Sequence, residues 1–107
     1  MAFDSVHKQI KTDKNVILSE LQHSLETTTV LGIFLKDTNE LVTTAVKSLT
    51  EEPSGDWLVT LMCQDLHGYD IENPNILLSN IERVIPFNIN FDDPMYTRER
   101  RKEKFKV

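Results

Sequence analysis

Between Asn15 and Glu26 the apolar residues Val16, Ile17, Leu18, Leu21 and Leu25 keep to one stripe at helical spacing. Phe3, Val6 and Ile10 continue it backwards, so the pattern predicts a helical region over residues 3–26. Asp4 or Ser5 supplies one start signal and Thr12-Asp13 another, which leaves one helix or two open. At Thr27-Thr28-Thr29 the period changes, because β-branched side chains lose rotamer freedom in a helix and pack well on a pleated surface. Leu31, Ile33 and Leu35 then alternate with Val30, Gly32 and Phe34, the signature of a strand. Lys36 to Glu40 is a polar turn, and Leu41 to Leu49 returns as the second arm of a hairpin. Beyond the break at Thr50 to Asp56, Trp57 to Asp65 places Trp57, Val59, Leu61 and Cys63 on one face. His67-Gly68 makes a turn, Tyr69 to Ile71 begins a return, and Ile76 to Leu78 resumes it after Glu72-Asn73-Pro74-Asn75.

The stretch from Ile76 to Phe87 carries the main architectural signal. Ser79 to Arg83 is too short for a wide loop and lacks the glycine of a tight hairpin, so it predicts one 3₁₀ turn capped by Ser79, with Ile81 pointing into the core. A strand at Val84 to Phe87 follows. Pro86 suits a strand end or edge, since it has no N–H for a central ladder. Phe87, Ile89 and Phe91 alternate onward until Asp92-Asp93-Pro94 stops them. The expected fold is α+β: an N-terminal helix followed by a strongly bent antiparallel sheet or small five-stranded barrel. Residues 1–96 form one globular domain, helical over 3–26 and β-rich over 29–91, and 97–107 form a basic tail.

This order resembles the small-barrel superfamilies, the Src-homology-three-type and Sm-like groups, over about residues 15–90. The resemblance implies a fold. Sm-like proteins carry a glycine within the second strand, an Asp and Asn pair in the loop after the third and an Arg-Gly or Lys-Gly step near the end. Here Thr43-Thr44-Ala45 has no glycine and Arg83 precedes Val84, so binding of uridine-rich RNA is not implied.

Composition adds three constraints. With 107 residues, 39% apolar and 27% charged, the chain has the usage of one ordinary globular domain. Its single cysteine, Cys63, cannot form an internal disulfide and falls on an apolar face, which suits a buried thiol in a reducing compartment and predicts a cytoplasmic protein. The first residues, Met1 to Lys14, lack the apolar core of a signal peptide, and no stretch approaches the roughly 18 apolar residues that span a bilayer, so no membrane partner is expected. The net charge of −5 divides into +4 over residues 97–107 and −9 over the rest. An acidic body repels phosphate while the tail attracts it.

Candidate chemistry is sparse. Asp65, His67, Asp70 and Glu72 are the densest set of potential ligands, suited to zinc or manganese, but Asp, His and Gly also populate solvated turns for conformational reasons. Cys63 with His67 could make a nucleophile and base, against which stands the buried face expected for Cys63. His7 and His23 have no partner in sequence, and Glu51-Glu52 and Asp92-Asp93 are neighbours that point apart in loops. No phosphate-cradling loop, nucleophile elbow, HExxH or CxxC occurs. No cofactor, metal or catalytic residue is therefore assigned.

For partner binding the expected residues are Trp57, Tyr69, Phe87 and Tyr96, at strand ends where a shallow peptide groove could form, with Arg98, Arg100, Arg101 and Lys102 in the tail. Trp57 also fits a core anchor, since its face continues through Val59 and Leu61. The tail reads as a solvated helix with Glu99–Lys102 and Glu103–Lys106 pairs, as a segment docking on the acidic body, or as a phosphate contact with Phe105 for stacking. The expectation is a non-enzymatic protein-interaction or self-assembly module, a homo-oligomer or a binder of another protein. The alternative is a small nucleic-acid-binding barrel using the tail, and a metal enzyme is the third class.

Overall fold

A computed structural model describes residues 13–97. Helix α1 (Lys14–Thr27) begins at the second of the two start signals, where the Asp13 carboxylate accepts the N–H groups of Asn15 at 2.9 Å and Val16 at 3.3 Å. The earlier signal and the stripe residues Phe3, Val6 and Ile10 lie outside the described residues. Only part of the expected stripe is buried. Ile17, Leu21 and Ser24 face inward and Leu18 packs against them, while Val16 and Leu25 stay exposed. The helix lies across three strands, and that contact line selects the Ile17–Leu21–Ser24 row. It ends at Thr28, whose N–H donates to the Ser24 carbonyl at 2.7 Å from a left-handed backbone with φ of 59°.

Six strands follow: β1 (Thr29–Leu35), β2 (Leu41–Thr44), β3 (Val46–Glu51), β4 (Trp57–Leu61), β5 (Asn75–Leu77) and β6 (Ile81–Asn90). They form two antiparallel three-stranded sheets, ordered β2-β1-β6 and β3-β4-β5. This is the expected α+β arrangement, with two small antiparallel sheets that are not closed into one five-stranded barrel.

The segment expected as one strand from Leu41 to Leu49 breaks at Ala45. The reason is a change of hydrogen-bond partner. On one side Gly32 and Leu31 of β1 face Thr43 and Thr44. On the other, the Val46 N–H donates to the Ser24 hydroxyl of α1 at 3.0 Å, and β3 pairs with β4. Ala45 is fully buried at the bend, and its carbonyl accepts the Met62 N–H at 3.1 Å. The chain after β4 thus stays beside the bend, and the Leu66 N–H reaches the Thr43 carbonyl at 2.9 Å.

Strand β4 stops at Leu61, four residues sooner than the alternation suggests, and this overturns the placement of Cys63. It sits in a bend and is exposed. The chain turns there because bonds to other segments replace the ladder: the Ile71 N–H donates to the Cys63 carbonyl and the Thr44 hydroxyl to the Gln64 carbonyl.

The 3₁₀ turn exists, over Leu78–Asn80 rather than Ser79–Arg83. Ser79 does not cap it; Leu77 holds that position without a side-chain bond. Leu78, Ile81 and Val84 are all buried, so the corner turns inward as expected, and β6 begins at Ile81 rather than at Val84. Pro86 lies in an edge strand, where its missing donor is tolerated.

The main core joins Ile17 and Leu21 of α1 to Leu31, Ile33, Val59, Leu61, Leu78 and Val84. A smaller cluster of Val30, Ala45, Leu66 and Phe91 fills the far end, with Phe87, Ile89 and Tyr96 against it. Gly32 lets the Phe87 ring approach β1, since a Cβ there would stand 3.0 Å from the ring edge.

Two outcomes follow for stability. Ser24→Ala strands the buried Val46 N–H, and urea denaturation should show a loss of about 1–3 kcal/mol. Thr28→Gly relieves a β-branched residue in the left-handed region, and the same measurement should show a gain of up to about 1 kcal/mol.

Candidate interaction surfaces

The four aromatic side chains expected to bind a partner do not share one groove. Trp57 starts β4 and packs half-buried against the main core, which places it as an anchor. Phe87 and Tyr96 come together on the smaller cluster, and Tyr69 stands 65% exposed on the β4–β5 connection. Arg98, Arg100, Arg101 and Lys102 lie outside the described residues.

The candidate metal set has a conformational role. One oxygen of the Asp65 carboxylate accepts the N–H groups of His67 at 2.9 Å and Tyr69 at 3.0 Å, tying a turn in which Gly68 has φ of 95°. Among the described residues no three His, Cys, Asp or Glu side chains converge on a point that could hold a metal ion. Cys63 and His67 are both exposed, and no bond between them orients a base toward the thiol. Asp92 and Asp93 separate in function, since the Asp93 carboxylate accepts the Met95 N–H at the start of a helical turn over 94–97. Glu51 belongs to β3, while Glu52 enters the following turn, where its N–H donates to the Asp56 carbonyl. His23 is exposed on α1, and His7 lies outside the described residues.

Arg83 has a place in the fold. It faces Phe34 across the β1–β6 pair, and its guanidinium carbon lies 4.2 Å from the ring centroid. Such stacking holds the cation against the sheet.

Sequence reasoning missed the Asp56–Ser79 tether. Asp56, in the β3–β4 turn, accepts the Ser79 hydroxyl at 2.6 Å, the Ser79 N–H at 3.1 Å and the Trp57 N–H at 2.8 Å. It links the turn to the 3₁₀ corner 23 residues away. Asp56 in a turn and Ser79 before a strand were both visible, but nothing in sequence pairs them. The Ser79 hydroxyl bond, chiefly, holds the Asp56 carboxyl below its ordinary value; burial opposes this, and the two N–H groups and Lys14 add to it.

Among the described residues three surfaces stand out. The first is formed by two of the sheet edges: among the described residues β5 bonds only to β4 and β6 only to β1, and the 3₁₀ turn joins the two. Leu77 of β5 is 42% exposed. The second is a cavity of about 450 Å³ between Ser19, Glu20 and His23 of α1 and the Pro86–Asn88 part of β6. The third is a groove of about 490 Å³ along β2, between the β1–β2 turn and the β4–β5 connection. No helix among the described residues is long and apolar enough to cross a membrane. No protein-family model matches the chain, and no curated protein or solved structure matches it.

Acid stability tests the tether. A carboxyl whose folded pKa is depressed adds stability above its ordinary value of about 4, and that share disappears as pH falls through the lower folded value. Asp56→Ala should cost about 1 kcal/mol near neutrality, and its urea midpoint should fall less than the wild type's as the solution is taken below pH ~4.

Proposed function

We propose that the chain is a non-enzymatic interaction module that self-associates through its sheet edges. In this reading the two sheets are halves of one bent sheet running β6-β1-β2-β3-β4-β5, with an approach to a small open barrel. The observation that carries it is that among the described residues both ends of this order, β5 and β6, have no strand on their outer sides, at one corner. Unpaired edges template strand addition, and a second copy offers a ten-residue β6 to a β5 edge that exposes Leu77. The dispersal of the candidate catalytic groups supports a role in binding over one in chemistry. A single cysteine, with no second one in the sequence to pair with, suits a reducing compartment, the cytoplasm.

Mass in solution tests this reading. The wild-type chain should run as a multiple of 12.4 kDa by light scattering, and Leu77→Lys, which puts a charge on the β5 edge without touching the core, should return it to 12.4 kDa. A wild-type monomer at every concentration would sink the proposal.

A further inference from the structure

Strand β2 has a backbone edge that the fold uses only in part. The Leu35 N–H donates to the Glu40 carbonyl, and the same register runs on through the Ile33–Val42 and Leu31–Thr44 pairs. Ladder bonds alternate in an antiparallel pair, so Val42 and Thr44 bond toward β1, while Leu41 and Thr43 turn their N–H and carbonyl groups away from it. On that outer side the Thr43 carbonyl accepts the Leu66 N–H at 2.9 Å. The Thr43 N–H and both backbone groups of Leu41 meet no hydrogen-bond partner among the described residues. Backbone groups in that position are a template for another strand.

The groove of about 490 Å³ lies against this edge, with Leu41, Val42 and Thr43 along one side and Asp70, Ile71 and Glu72 along the other. Its apolar surface is Leu41, 53% exposed, with the half-buried Val42 and Ile71. Its charge is of one sign. Asp37, Glu40, Asp65, Asp70 and Glu72 line it, and among the described residues no Lys or Arg does.

Three requirements therefore fall on one occupant. Outward N–H and carbonyl groups along a strand call for an extended backbone, exposed aliphatic surface calls for apolar side chains, and a rim of carboxylates calls for cations. Successive side chains of a strand point to opposite faces, so one segment meets all three when cationic and aliphatic residues alternate along it. Nucleic-acid phosphates are repelled by the same rim.

We propose that this groove binds an extended segment of a partner protein, alternately cationic and aliphatic, as an added strand on the outer side of β2. The site is separate from the β5 and β6 edges, so it stands independently of self-association through them.

The test uses the full ¹⁵N-labelled chain and a capped synthetic peptide of alternating lysine and valine, about six residues long. In titrations at low salt the amides of Leu41, Thr43, Asp70, Ile71 and Glu72 should move together to one saturation point, and a peptide of alternating glutamate and valine should move none of them. Asp70→Lys/Glu72→Lys, at two exposed positions, should weaken binding about tenfold, and Glu20→Lys, on the other cavity, should leave it unchanged. The lysine–valine peptide methylated on alternate backbone nitrogens keeps its charge and loses its strand donors, and in the register that blocks the edge facing β2 it should bind about tenfold more weakly. Equal binding of both methylated registers, or shifts spread over the acidic surface without the β2 amides, would overturn the proposal. So would β2 amides that move when the protein alone is diluted, since a second copy would then occupy the groove.

Discussion

A single buried hydroxyl, that of Ser24, holds the helix and both sheets in one arrangement. It donates to the Thr29 carbonyl at 2.6 Å and accepts the Val46 N–H at 3.0 Å, while its own carbonyl receives the Thr28 N–H that ends the helix. Strand β1 therefore starts, and the β2–β3 strand bends, on bonds to one residue. An unpaired N–H at the bend would be costly in a site without water, so the serine makes the bend affordable. The apolar neighbours Leu21 and Val46 exclude solvent from it and strengthen the bonds they surround.

The opposite corner is held differently. There Asp56 and Ser79 bind across the surface, and beneath them Leu78, Ile81 and Val84 turn into the core. Burial of such side chains contributes about 1.5–3 kcal/mol each, so the corner rests on packing, with the carboxylate setting its geometry. Both corners are bends that expose strand ends, and β5 and β6 meet at this one. The architecture that makes a compact body from short strands also leaves the outer sides of β5 and β6 without a strand among the described residues.

Charge is organised over the same frame. The acidic side chains of the β1–β2 turn and the β4–β5 connection gather on one groove because β2 and the chain after β4 are drawn together by the Leu66-to-Thr43 bond. Arg83 is held on Phe34 instead of meeting them.

Periodicity by itself determined the helical run after Asn15, the position of β1 and the inward 3₁₀ corner, and it offered Asp13 as one of two helix starts. Each of these is settled by residues within a few positions of one another: a carboxylate ahead of an apolar stripe, β-branched threonines after it, and Ile81 between two aliphatic runs. Tertiary contacts decided the break at Ala45, the exposure of Cys63 and the roles of Ser24 and Asp56. An alternating run says that a strand can form, but not where another element will take over its N–H groups. Val46 turns to a helix 22 residues away, and the chain leaves β4 at Leu61 because Gln64 and Cys63 find partners on other segments. The aromatic residues divide for the same reason: Trp57 packs on one core and Phe87 and Tyr96 on the other, and only the packing of distant strands fixes which residues share a face.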